Sequence, residues 1–424
     1  MKVSRFTTEI EIDDTKKMLY NTVSRKYYVF PGNKQQNMKK FLLDINKGNY
    51  TQSEIKLFKE LLNKGIIVKD GTDELVKLEF WEKKKCFRED IFDLMLYVTN
   101  ACNFRCTYCT QKHTVKIMET EVLHSVTKFM SDVSRQAKVI RIGWFGGEPL
   151  LQYEKILSVQ EKLREICKNN DCTLEAYVVT NGYLLDRDRI KELQEHQIDW
   201  MQITIDGNEE IHDKKRSLAN GDRTYGRILQ NLNEALKLGM KIVLRINLDE
   251  ESVQMPMSVL EEIPSQYRHL VTVNFCNIFQ VQEKISLYPL LYKAIMMGYQ
   301  YGGRNNHYEG CIAGKKQSLI VDTDGNILIC SNAQGEPASG KLENDGKVVY
   351  KDRNLCYKMK RVSAMDNEEC RNCIELPYCI GDCKYGRMRA NSTCLGKQSD
   401  GMSLEERARL DYYYDKMNEK TAFL

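Results

Sequence analysis

The chain has 424 residues, 42% of them hydrophobic and 29% charged, an ordinary globular balance with length for two or three domains. No run of about 18 apolar residues occurs, and the N-terminal MKVSRFTTEIEIDD lacks the apolar stretch of a signal peptide, so no membrane span is expected and the expected location is cytoplasmic. Net charge is +4, with 19 Lys/Arg against 14 Asp/Glu over residues 1–90 and 44 against 45 over the rest, too weak a bias to imply nucleic acid.

Residues 1–88 read as one small unit. MLYNTVSRKYYVF (18–30) is dense in β-branched and aromatic residues and predicts strands. NMKKFLLDIN (37–46) and SEIKLFKELLNKG (53–65) carry helical apolar spacing, the second closed by Gly65. IIVKDG predicts a short wing strand and turn, and ELVKLEFWEKKK a third helix. Strands followed by helices and a wing outline a winged helix-turn-helix.

Residues 89–304 alternate. The strand-like runs LMLYVTNA, KVIRIGWF, TLEAYVVT, DWMQITID, KIVLRINL and LVTVNFCNI are separated by helical stretches such as TEVLHSVTKFMSDVSRQ and YGRILQNLNEALKLGMK. Six such units predict an α/β fold, a partial (β/α)6 TIM-type barrel with a parallel sheet and its active groups at the C-terminal strand ends. Over residues 305–424 periodicity fades into loops and short strands punctuated by Cys and Gly, before a helix in SLEERARLDYYYDKM (403–417).

Fifteen cysteines without an export signal predict reduced thiols and metal ligation rather than disulfides. Cys102, Cys106 and Cys109 stand in a C-x3-C-x2-C spacing directly after the first barrel strand. Three thiolates can hold three irons of a [4Fe–4S] cube and leave the fourth iron open, and an open position marks a catalytic metal site. A partial zinc site or a set of buried free thiols is the competing reading.

CNFRCTYC, with Tyr108 before its last Cys, resembles the cluster motif of the radical S-adenosylmethionine (radical SAM) enzymes. The resemblance implies that the amino and carboxylate groups of AdoMet take the open iron. It continues in WFGGEPL, whose Gly146, Gly147, Glu148 and Pro149 resemble the GGEP motif that binds the methionine amino group. Glycines there would let backbone carbonyls approach closely. VVTNG and TIDG end the third and fourth strands, and the resemblance makes Asn181 and Thr204 AdoMet contacts; Arg216, closing IHDKKR, suits a carboxylate.

The C-terminal cysteines resemble the seven-cysteine SPASM pattern: Cys311, thirteen residues, Gly325, four residues, Cys330, then Cys370-x2-Cys373-x5-Cys379-x3-Cys383 and finally Cys394. The pattern implies two auxiliary [4Fe–4S] clusters, three clusters in all. Cys311, Cys330 and Cys383 would serve the first auxiliary cluster, and Cys370, Cys373, Cys379 and Cys394 the second. The first set is one thiol short. Either Cys276 or Cys356 reaches back to it, or its iron is open to a substrate thiolate. Cys86, Cys167 and Cys172 read as bystanders, Cys167 as core. A zinc ribbon is the competing reading.

Ahead of such an enzyme, the first 88 residues resemble a precursor-peptide recognition element (PqqD-like, an RRE). That resemblance implies binding of the leader of a ribosomally synthesised peptide as a strand added to an edge within 18–30, where Tyr20, Val23, Tyr27 and Val29 roughly alternate with polar residues. Arg25, Lys26, Lys39 and Lys40 would meet acidic leader residues. The expected function is maturation of a ribosomally made peptide (RiPP): AdoMet cleaved to methionine and a 5′-deoxyadenosyl radical, a hydrogen taken from the peptide, and an intramolecular crosslink closed, a thioether from a Cys. Carbon–carbon closure is the alternative, then an anaerobic sulfatase-maturating enzyme, and, outside enzymes, an iron–sulfur DNA-binding regulator. Expected partners are the precursor peptide and an electron donor such as flavodoxin or ferredoxin, with no nucleic acid and no membrane. No pattern singles out a general base.

Overall fold

The computed structural model describes residues 1–111, 113–278, 285–302, 311–333, 336–380, 383–389, 394 and 400–421. β1 (Lys2–Val3) leads into an antiparallel sheet of β2 (Thr7–Asp13), β3 (Lys16–Asn21) and β4 (Lys26–Pro31), in the order β2-β3-β4. Helices Gln35–Leu43, Gln52–Asn63 and Glu74–Cys86 follow, and β5 (Ile67–Val68) returns between the last two to pair with β1. The local chemistry is legible: Thr51 and Glu54 form a capping box, Asp73 caps the third helix, and Gly65 takes the positive φ that ends the second.

Two details differ from the sequence expectation. TTEIEID forms β2, a strand the sequence reading did not assign. The run 18–30 is split by a turn in which Asn21 Oδ1 accepts the N–H groups of Val23 and Ser24. Tyr20 therefore sits on the central strand and Val23 in the turn, and only Tyr27 and Val29 of the expected alternation lie on the edge strand β4. One face of the sheet sends Leu19 and Phe30 against Met38, Phe41 and Leu61. The other sends Ile10, Ile12, Met18 and Tyr20 against Ala408 and Tyr412 of the closing helix Leu404–Thr421.

The large sheet follows. β6 (Ile91–Thr99), β7 (Val139–Gly146), β8 (Thr173–Thr180), β9 (Trp200–Thr204), β10 (Lys241–Leu248) and β11 (Val271–Asn277) pair in sequence order, all parallel. β6 is buried along nearly its whole length, as a strand covered on both faces must be. Helices such as Thr120–Ser134, Tyr153–Asn169 and Tyr225–Lys237 connect the strands, while the β10–β11 link holds only short turns.

The parallel sheet is wider than six strands. β12 (Gln300–Tyr301) joins β11 and β13 (Ser318–Val321) joins β6, both parallel, and β14 (Asn326–Ile327), β15 (Gly340–Leu342) and β16 (Val348–Tyr350) extend it antiparallel. One sheet thus crosses the expected boundary at 304/305, and the buried Lys315–Asp93 pair at 2.9 Å fastens the crossing. Among the described residues no helix is long and apolar enough to cross a membrane.

Candidate active site

The site forms where β6 to β10 end. The loop after β6 is held to its neighbours mainly by backbone. Asn100 N–H donates to Lys116 O at 2.8 Å, and Arg105 and Thr107 N–H donate to Ser217 O and Lys215 O, each at 3.0 Å. Cys102 and Cys106 are half-buried and Cys109 is exposed. Burial pushes the Cys102 thiol up to about 12 and raises that of Cys106. Bare thiolates are disfavoured there, and a bound cation would compensate them.

Gly146 and Gly147 each admit the close approach of a neighbouring backbone carbonyl. A Cβ at Gly146 would collide with Thr99 O, and one at Gly147 with Ala101 O. The oxygens belong to the cysteine loop, which packs directly on the β7 end; Gly147 and Glu148 N–H donate to those same carbonyls at 2.9 and 2.8 Å. Glu148 is fully buried. Its carboxylate accepts Leu150 N–H at 3.0 Å, the Thr180 hydroxyl at 2.7 Å and Asn181 N–H at 2.7 Å. Asn181 Nδ2 in turn donates to Asn103 Oδ1 at 2.8 Å, so the three strand ends are laced together. Pro149, itself buried, starts the turn after Glu148.

A second constellation faces Cys106. Arg216, 6% exposed, donates from Nη1 to the Tyr108 hydroxyl at 2.8 Å and lies within electrostatic reach of Cys106 and Asp206. Tyr108 donates to Asp206, whose other oxygen accepts Asn247 N–H at 2.8 Å, and Asn247 Nδ2 reaches the Tyr108 hydroxyl at 3.0 Å. Arg245 Nε donates to Asn247 Oδ1 at 2.8 Å. Arg216 Nε is buried without a hydrogen-bond partner. A permanent cation with an orphaned donor beside a thiol calls for an anion. That is the test the implied group meets: the residues fit a negatively charged iron–sulfur cluster with a carboxylate ligand. Thr204 is buried at the end of β9. Asp206 was not assigned from the sequence, although TIDG could have flagged it. His212, also unassigned, accepts Asp206 N–H at Nδ1 and is held neutral by burial.

Of the C-terminal cysteines, Cys311, Cys330 and Cys383 lie within electrostatic reach of one another. Cys370 and Cys373 share an apolar cluster with Phe6 and Leu78 of the N-terminal unit, and Cys379 ends the short helix Leu376–Cys379. Cys394 is exposed, and both its flanks lie outside the described residues. Cys276 sits at the end of β11, its thiol near Arg245 and Asp206. Cys356 is buried on the helix Arg353–Arg361 and lines a small cavity with Ala313 and Ile329. Cys167 and Cys172 are core; Cys86 lies beside Lys384 in the interface with the N-terminal unit. Among the described residues no three Cys, His, Asp or Glu side chains close to metal-binding distance.

Residues 96–263 match the Radical SAM superfamily model. The GTP 3′,8-cyclase of Campylobacter jejuni subsp. doylei is 30% identical over 45% of this chain, which spans only 57% of the cyclase. The radical SAM cyclopropyl synthase TigE of Paramaledivibacter caminithermalis is 22% identical over 91% of both chains. Among solved structures, anSMEcpe with bound AdoMet and Cp18Cys peptide is similar in fold at TM-score 0.58 and 17% identity, covering 78% of this chain and 99% of that one. Streptococcus suis SuiB bound to its precursor peptide SuiA is similar at TM-score 0.51 and 14% identity, covering 92% and 97%.

Proposed function

We propose that this chain, an enzyme of the radical SAM superfamily, matures a ribosomally synthesised peptide by closing an intramolecular crosslink. In this reading Cys102, Cys106 and Cys109 would hold the cluster, which together with AdoMet would supply the radical chemistry for taking a hydrogen from the peptide. The chain's own part is positioning. Arg216, oriented by Tyr108, Asp206 and Asn247, would hold the AdoMet carboxylate, with Asn181 and Thr204 at the neighbouring strand ends. Glu148 and the two glycines fix the loops that exclude water.

The single observation that carries the peptide substrate is a groove along β4. The strand ends its sheet, and Glu60 and Lys64 wall one side while Tyr412, Asp415 and Glu419 of the closing helix wall the other. Tyr27, Val29, Lys16 and Lys26 line its floor. An extended leader would add there as a fourth strand. The fold likeness to SuiB bound to precursor peptide SuiA, and to anSMEcpe with its Cp18Cys peptide, supports the same reading.

The bond we propose is a thioether. We read Cys311, Cys330 and Cys383, which lie within electrostatic reach of one another, as the ligands of the first auxiliary cluster; Cys276 lies instead near Arg245 and Asp206, and a substrate thiolate would complete the set. Carbon–carbon closure stands second, favoured by one observation: Cys356 shares a cavity wall with Ala313 and Ile329, neighbours of Cys311 and Cys330. Four cysteines, Cys370, Cys373, Cys379 and Cys394, would hold the second auxiliary cluster. The test is anaerobic reconstitution with AdoMet, dithionite and a Cys-containing precursor, followed by alkylation of the product. Formation of 5′-deoxyadenosine with one thiol lost to alkylation supports the thioether. All thiols still alkylatable supports the carbon–carbon closure. Absence of 5′-deoxyadenosine contradicts both.

A further inference from the structure

The helix Glu74–Cys86 divides its chemistry between its two sides. Its acids are used inward: Glu74 accepts Arg5 N–H at 3.0 Å, and Glu82 accepts the Ser363 hydroxyl at 2.6 Å and lies 3.6 Å from Lys384. Leu75 and Leu78 pack with Cys370 and Cys373. Outward the helix and its cap show four large apolar side chains: Val76 and Phe80 are each 60% exposed, Phe87 46% and Trp81 40%. Lys77, Lys83 and Lys84 are exposed among them, and Lys84 Nζ sits 5.2 Å over the Trp81 ring. The one outward acid, Glu79, is paired with Lys83. An aromatic stripe set among lysines on a surface helix is an interface pattern rather than a solvated face.

We propose that this outer face docks a small acidic one-electron carrier protein of the flavodoxin or ferredoxin class. Charge selects the partner. The exposed lysines complement a carboxylate-rimmed surface and would repel a second copy of the same face. Nucleic acid does not explain four exposed apolar side chains against three exposed lysines. Position selects the class, because the opposite side of the same helix covers Cys370 and Cys373. The inference rests on the reading of those cysteines as ligands of an electron-carrying cluster.

The test uses the full, reconstituted enzyme and a purified acidic flavodoxin, titrated by calorimetry at two salt concentrations. The comparison variants are Phe80→Ser with Trp81→Ser, and Lys77→Glu with Lys83→Glu and Lys84→Glu, each checked for an unchanged melting curve. Expected are wild-type binding that weakens with salt and binding about tenfold weaker or worse in both variants. Flavodoxin-driven 5′-deoxyadenosine formation should fall in parallel, while the dithionite-driven reaction is unchanged. Wild-type flavodoxin binding in either variant overturns the proposal. So does loss of labelled precursor peptide or of duplex DNA binding while flavodoxin binding persists, because the face then belongs to that partner. Iron analysis of a Cys370→Ala, Cys373→Ala variant separates the two layers. Unchanged iron there removes the cluster reading, while charge-dependent docking still supports the surface.

Discussion

Glu148 meets no solvent and three donors, and burial still pushes its carboxyl up to about 7 from an ordinary 4.5. Because the folded pKa lies above the unfolded one, the native state holds more protons than the unfolded chain between those values. Its contribution to stability is full below about 4.5 and is lost as pH rises toward 7, by on the order of 3 kcal/mol at most. Urea melts across that range should show the slope, and Glu148→Gln should flatten it while lowering overall stability, since an amide cannot accept from all three donors. An unchanged slope in the variant would place the titration elsewhere. At Gly146 the constraint is steric. Gly146→Ala drives a methyl into Thr99 O at φ +140, and a cost of about 3 kcal/mol or more is expected in thermal melts. The GGEP run was legible as a motif whose glycines admit a backbone carbonyl, but which carbonyls lie against them was not. What lies against a glycine is decided by the β6–β7 pairing, which no local stretch of sequence contains.

Between elements, the firmest tie of the closing helix is Asp411. It is completely buried and receives Arg25 from Nε at 3.0 Å and Nη2 at 2.5 Å, with the Tyr20 hydroxyl at 2.6 Å. Arg25 also lies 5.0 Å from the Tyr378 ring, next to Cys379. Asp411→Ala would take the carboxylate partner from a buried guanidinium, and a loss of about 3–5 kcal/mol is expected. Adding Arg25→Met should recover much of it, because the charge and its lost partner then leave together. Hydrogen exchange should show the closing helix losing protection in the single variant and regaining it in the double. If the two losses simply add, the pair is not coupled. The sequence marked this helix and the 18–30 hairpin separately. It could not join them, because Arg25 and Asp411 are 386 residues apart and neither belongs to a periodic pattern that names its partner.

Over the whole molecule, the six central strands were readable because short runs rich in β-branched and apolar residues alternate with longer helical stretches. β12 and β13, two and four residues long, carry no such signal, so the extension of the sheet past residue 304 emerges only from pairing. Cysteine spacing was legible as pattern. The orphaned Arg216 Nε and the Asp206–Tyr108–Asn247 frame around it are tertiary facts. At this scale, if the three proposed clusters are all present, replacing Cys102, Cys106 and Cys109 by Ala should remove about a third of the iron, about four of twelve atoms, and all AdoMet cleavage. Iron unchanged by that substitution would count against the assignment. The most direct measurement is the mass of a precursor peptide after incubation with reconstituted enzyme, AdoMet and reductant. We expect a loss of two hydrogens, with fragmentation blocked between a Cys and a second residue. An unchanged peptide mass, with 5′-deoxyadenosine still formed, would contradict the crosslinking function.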